Sequence, residues 1–198
     1  MRYDSEHKAR TRDLILKEAA NAIRSDGVAN VGVAQIMSRA GLTHGGFYAH
    51  FASKDELVAQ AVEYMFVDRY AKFLAHSEGI DPSAALANFV DRYLSMVHRN
   101  ATDRGCPIPM LAGQVPHLPE AARTRFMLAV ERLTTGVADL LAQLGAQDGG
   151  VLAASIIAEM VGALGMARVQ PDNGKAERLL AAARASVAEK IAGATPLI

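Results

Sequence analysis

A single cysteine, Cys106, stands in the 198 residues, and tryptophan is absent. One thiol excludes an internal disulfide framework and any zinc cage built from cysteine alone. Charge of one sign is lacking too: 21 Lys and Arg face 21 Asp and Glu. That balance excludes a uniformly basic coat for nucleic acid and leaves room only for a local patch. Strand-like alternation of period two never lasts, and there is no internal repeat or low-complexity tract. No glycine-rich phosphate loop follows a strand, and neither H-E-x-x-H nor E-x-x-H occurs. His98, Cys106 and His117 lack motif spacing, and His44 and His50 fall on different flanks of their helix. The expectation is therefore no enzyme, no metal and no cofactor.

What is present is apolar and helical. Half the residues are hydrophobic (51%) and 21% are charged, a balance that excludes disorder. A chain of this length buries roughly 70% of its unfolded surface, enough for a core without staples. The opening MRYDSEHKARTRD is charged, with no apolar run behind it, which predicts no secretory signal and a cytoplasmic location.

Apolar spacing predicts an all-α chain. A first helix spans Arg10 to Ser25 and stops at Asp26-Gly27; a second spans Val33 to Ala40 and is closed by Gly41. Thr43 caps a very short third helix to about Phe51, and Ser53 caps a long fourth with Asp55 and Glu56 in its first turn. Asp81-Pro82 opens a helix to about Arg99. Residues 100–119 hold four of the seven prolines and read as a broken connection, with one helical turn around Met110 to Gln114. Long helices follow over Pro119–Leu144, 149–167 and Lys175–Ala192.

The 149–167 run carries Glu159 as its one charge. A carboxylate near the middle of a membrane span costs about 2.5 kcal/mol or more. Ala154, Ala158 and Gly162 recur every four residues, so a helix buried against another protein surface is preferred to a membrane span.

Charge is divided unevenly. Residues 1–54 hold eight Lys/Arg against five Asp/Glu, and the remainder 13 against 16. The basic end faces a polyanion. Within it, QIMSRAGLTHGGFYAHFASK (Gln35–Lys54) has the spacing of a helix-turn-helix, with Gly41 in the turn and Leu42 packed beneath. Phe47 and Phe51, four apart, share a buried face, leaving Gly45, Gly46, Tyr48 and Ala49 outward. Each glycine costs a helix about 1 kcal/mol relative to alanine, which points to a backbone that must approach something closely. A phosphate backbone fits, with His44 and Tyr48 reaching base edges or phosphates, His50 a phosphate, and Lys54 adding charge. A bare helix-turn-helix pattern is often only a packing motif; the glycine pair and the charge split favour DNA.

The stretch G-L-T-H-G-G-F-Y-A-H-F-A-S-K-D-E-L resembles the DNA-binding signature of the TetR family of transcriptional regulators, over about residues 10–60. The resemblance implies a three-helix DNA-binding domain at 1–53 and a larger effector-binding and dimerisation bundle at 54–198. It implies a homodimer through residues 149–192, and Thr43, His44, Gly45, Gly46, Tyr48, Ala49, His50 and Lys54 along double-stranded DNA. Val31 and Gly32 stand where the family often has Thr or Ser, so a hydroxyl cap and its phosphate contact are not expected here. Ala49 is small for an outward position, which puts base readout on His44, Tyr48 and close backbone contact.

In the second bundle Tyr70, Phe73, Phe89, Tyr93, Met96, Met110, Phe126 and Met127 are core residues by spacing and, through the resemblance, candidates for an effector pocket. The expected effector is a small, mainly apolar molecule of unknown identity, with Tyr70, Tyr93 or His98 supplying polar contacts. Cys106, between Arg104-Gly105 and Pro107, is a candidate redox sensor, with a buried small side chain as the preferred alternative. The resulting expectation is a cytoplasmic, ligand-responsive dimeric repressor released from a palindromic operator, with an activator role left open. The alternative is a helical dimer that binds small molecules or proteins without regulating DNA.

Overall fold

The computed structural model describes the backbone of residues 2–75 and 79–194, and the side chains of 6–67 and 79–194. Among the described residues there is no strand. The α-helices are α1 (Arg2–Asp26), α2 (Val33–Arg39), α3 (Lys54–Ala75), α4 (Pro82–Tyr93), α5 (Met96–Asn100), α6 (Ile108–Leu111), α7 (Glu120–Gln143), α8 (Gly149–Val169) and α9 (Asn173–Ala194). Tighter 3-10 turns fill Val28–Asn30, His44–Ala49 and Ala112–His117.

The expected helices are present with four corrections. Helix α1 begins at Arg2 and not at Arg10, because the polar residues before the apolar stripe contain no Gly or Pro to stop it. Glu6 and Arg10, one turn apart, also pair at 3.8 Å. The helix expected to run from Pro82 to Arg99 breaks at Leu94 (ψ 47°), and α5 restarts behind Ser95, whose Oγ accepts from the His98 N–H at 3.1 Å. A serine competes with the helix for backbone partners and so favours a cap over an interior position. The short third helix is a 3-10 turn, and Thr43 makes no side-chain cap. The last helix starts at Asn173, two residues early, behind Asp172, whose carboxylate accepts from Lys175 N–H at 2.8 Å. The caps read at Ser53 and Asp81 do form: Ser53 Oγ accepts from Glu56 N–H and Asp81 Oδ2 from Ala84 N–H, each at 3.1 Å.

The chain divides into two compact units, Met1–Asp68 with Met110–Ala129, and Arg69–Pro109 with Val130–Ile198. The first extends past the expected boundary at residue 53, taking in most of α3 and the excursion 110–129. Its core joins Ile15, Ala19 and Ile23 of α1, Ile36 and Met37 of α2, Phe47 and Phe51, and Leu57, Val62 and Met65 of α3. Arg24 is buried with them, and its Nη2 donates to the Met65 carbonyl at 3.1 Å, tying α1 to α3.

The second unit is organised around α8 and α9, which pack along one another through Ala153, Ile156, Met160, Leu164, Ala176, Leu180, Ala183 and Val187. Arg99 fastens the junction between the two helices: Nε donates to the Ala167 carbonyl at 2.9 Å, Nη1 to Asn173 Oδ1 at 3.0 Å, and Nη2 to the Gln170 carbonyl. A cation holding the last carbonyls of a helix is a favourable end cap. Among the described residues α8 alone is long and apolar enough to cross a membrane, and 33% of its apolar window is buried within the chain.

Leu180 is fully buried, whereas Arg178 on the same helix is exposed. Leu180→Ala should lower unfolding free energy by about 2–5 kcal/mol, and Arg178→Ala by less than about 0.5 kcal/mol, in urea titrations at fixed protein concentration.

Candidate nucleic-acid interface

Helix α2 ends in a Schellman motif. Gly41, at φ 70°, donates to the Ser38 carbonyl at 3.0 Å, and Leu42 N–H reaches back to the Met37 carbonyl at 2.8 Å. A side chain at residue 41 would strain that left-handed turn, so glycine sets the corner. The 3-10 segment His44–Ala49 follows, two residues past the turn. Phe47 and Phe51 are 1% and 2% exposed and stack with ring centroids 5.7 Å apart. Arg12 of α1 lies with its guanidinium carbon 4.3 Å over the Phe51 ring. Glu56 of α3 faces Arg12 at 3.8 Å. Arg12 of α1, paired with Glu56 of α3, thus covers the inner side at Phe51.

Its outer side is open. Thr43, His44, Gly45, Ala49 and Lys54 are exposed, and Tyr48 is 69% exposed although its ring edge rests on Phe47 at 5.2 Å. Among the described residues a Cβ added at Gly45 would meet nothing within 4 Å, and one at Gly46 would make only ordinary contact, 3.6 Å from Met37 Cε. Neither glycine has a positive φ. The chain's own packing thus gives no reason for glycine at 45.

His50 is half-buried, and its Nδ1 has no hydrogen-bond partner among the described residues. Burial, then the positive charges of Lys8, Arg12 and His7, hold its pKa below the ordinary 6.5. The Arg12 Nη1 is likewise buried without a hydrogen bond. Sequence reasoning missed Arg12, because no local spacing connects residue 12 with residue 51. Gly32 caps α2 without a side-chain hydrogen bond, as its lack of a hydroxyl requires.

The eight candidate effector residues are spread over both compact units. Met110, Phe126 and Met127 belong to the first, and Phe89, Tyr93 and Met96 to the second; the side chains of Tyr70 and Phe73 lie outside the described residues. Phe126 is buried edge-on against Phe66 at 5.4 Å, while Met127 is 57% exposed. Tyr93 is buried between Phe89 at 5.8 Å and His98 at 4.8 Å. Met96 and Met110 are half-buried. A groove of about 590 Å³ in the first unit is lined by Val28, Lys54, Val58, Gln114, His117 and Leu118 among others, and by none of the eight.

Cys106 is buried. Its N–H donates to His98 Nε2 at 2.8 Å, and His98 Nδ1 lies 2.7 Å from the Tyr93 carbonyl. Only a ring carrying its hydrogen on Nδ1 satisfies both bonds, so His98 serves as a buried splice between the end of α4 and the segment before α6.

Residues 15–61 match the family model of the bacterial regulatory proteins of the tetR family, and residues 82–183 match the tetracyclin repressor-like C-terminal domain. An uncharacterized HTH-type transcriptional regulator, YxaF of Bacillus subtilis, is 27% identical over 121 residues; the match covers 58% of this chain and 61% of that regulator. The fold is that of a TetR transcriptional regulator from Chloroflexus aurantiacus (TM-score 0.83, 24% identity, 98% of this chain and all of that one). It is shared by a TetR-family regulator from Cytophaga hutchinsonii (TM-score 0.81, 20% identity, 97% and 98%). The two family matches, one on the helix-turn-helix and one on the helices beyond it, lead to one conclusion: this chain belongs to the TetR family of bacterial regulatory proteins, and to regulators rather than enzymes.

Proposed function

We propose that the chain is a cytoplasmic, dimeric DNA-binding regulator, a repressor that a small and mainly apolar effector releases from its operator. The observation that carries the DNA reading is the outer side of residues 43–54: an exposed tyrosine, histidine and lysine around a glycine that no packing among the described residues requires. Glycine there lets the backbone itself approach a phosphate, with Tyr48 and His44 at base edges and His50 and Lys54 at phosphates. Two copies related by a twofold axis present these segments about 34 Å apart, so the operator is a near-palindrome. For the pairing of copies, α8 offers Val151, Ala154, Ala158, Gly162, Met166 and Val169, all exposed. Small residues among larger apolar ones allow close helix approach in a four-helix dimer core. The effector belongs to residues 54–198 and acts through its unequal affinity for the two states.

The first test is binding to a duplex selected by the protein from random DNA, across a salt series. Tyr48→Ala should weaken binding at least tenfold, and Lys54→Ala should reduce the salt slope by about one. Gly45→Ala discriminates most sharply: melting temperature should hold or rise while DNA affinity falls at least tenfold, and an unchanged affinity would remove the close-approach reading. Ala158→Arg should give monomers in sedimentation and lose the operator. His50 adds a pH dependence with a defined sign. Between 6.5 and its lower folded value the unfolded chain binds more protons, so stability declines as pH falls through that window. A phosphate beside the ring favours the imidazolium, so DNA affinity should rise on going from about pH 7.5 to about 5.5, and less in His50→Gln.

A further inference from the structure

The excursion 110–129 leaves the second compact unit after Pro109, joins the first, and returns at Val130. It grips the first unit at two places. On α3, Phe126 meets Phe66 and Arg125 pairs with Glu63. At the other end Gln114, 86 residues away in sequence, accepts a hydrogen bond from the Val28 N–H on its Oε1 at 3.1 Å. The opposite edge of the same amide donates from Nε2 to the Met110 carbonyl at 3.0 Å, which fixes the orientation of the amide.

Val28 is the first residue of the 3-10 turn Val28–Asn30, which opens behind Gly27 with no side-chain cap of its own. The first N–H groups of a helical turn lack internal partners, and a nearby Ser, Thr, Asp or Asn usually serves them. Here the capping oxygen is brought from residue 114. Gly27 accommodates it: its φ is 77°, and a Cβ there would stand 3.0 Å from Gln114 Oε1 and 3.2 Å from Nε2. The capped turn leads through buried Val31 straight into α2, the first helix of the helix-turn-helix.

We propose that Gln114 is a positioning residue for operator recognition, setting the direction in which α2 and residues 44–49 leave the α1–α2 turn. The inference rests on the DNA-binding reading above. Through this one bond a change in the path of 110–129 reaches the reading segment without touching DNA. Gln114 lines the groove of about 590 Å³ beside Lys54 and Asp55, so the bond is also open to competition from water or solute.

The test compares the wild type with Gln114→Leu, which keeps the bulk and removes the acceptor, and Gln114→Glu, which keeps an acceptor for Val28. Three quantities are read in the full chain: affinity for the duplex selected by the wild type, affinity for an unrelated duplex of equal length, and hydrogen exchange at the Val28 amide. The expected result is faster Val28 exchange and about tenfold weaker binding of the selected duplex in Gln114→Leu, with binding of the unrelated duplex and its salt slope unchanged. Gln114→Glu should recover both the protection and the selectivity. A purely structural role would lower both affinities together, and that result overturns the proposal. Equal selectivity in wild type and Gln114→Leu overturns it as well, leaving the DNA reading intact. A wild type that binds neither duplex overturns both. Should Gln114→Leu fail to fold, Gln114→Ala, which also removes the acceptor, and Gly27→Ala, which crowds the amide, decide: unaltered selectivity in whichever of them stays folded overturns the proposal.

Discussion

The column Arg12–Phe51–Phe47 holds in place a segment that could not hold itself. Six residues of 3-10 helix containing two glycines have poor hydrogen-bond geometry and high unfolded-state entropy. Stacked rings 5.7 Å apart, roofed by a guanidinium 4.3 Å from one of them, supply the order from tertiary contact. Because these fixing contacts lie on the inner side, the outer side is left open, as the proposed DNA contact requires. His50, which follows the segment, shares the neighbourhood of the cation over Phe51: Arg12, with burial, Lys8 and His7, disfavours its charged form, and its Nδ1 has no hydrogen-bond partner among the described residues.

Local chemistry decided which parts were legible in the sequence. Gly41, the Phe47/Phe51 spacing, the caps at Ser53 and Asp81 and the small-residue spacing of Ala154, Ala158 and Gly162 each act over a few residues, and the chain states them directly. Arg12 over Phe51, Arg24 on the Met65 carbonyl and Gln114 on Val28 join positions 39, 41 and 86 residues apart, and no periodicity announces them. The break at Leu94 falls between these cases. Ser95 caps α5 locally and His98 Nδ1 meets the Tyr93 carbonyl five residues back, but the bond from Cys106 N–H to His98 Nε2 depends on the path of the segment beyond α5. The outward set at 43–54 could be named because an amphipathic turn shows both of its sides. The effector set could not be narrowed, since Met and aromatic spacing describes a packed core and a pocket wall equally well.

The compact units also show why a boundary drawn at residue 53 is incomplete as a statement about packing. Residues 110–129 finish the first unit with Leu111, Leu118, Ala122 and Phe126, all buried. The reading head therefore takes part of its core from a segment whose two ends belong to the other unit. A head excised at residue 53 would lack α3 and that excursion, and with them the Arg24–Met65 and Val28–Gln114 hydrogen bonds.

Helix α8 has a composition that lipid would accept along nearly its whole length, interrupted by Glu159. In the finished chain Lys190 donates to that carboxylate at 2.5 Å, and this hydrogen bond, with one from Ser186, holds the Glu159 pKa below its ordinary value. Without that partner, a carboxylate near the middle of the run would cost about 2.5 kcal/mol or more in a bilayer. The one charged position in the otherwise apolar run 149–167 is thus the one through which α9 clasps α8 by a charged pair.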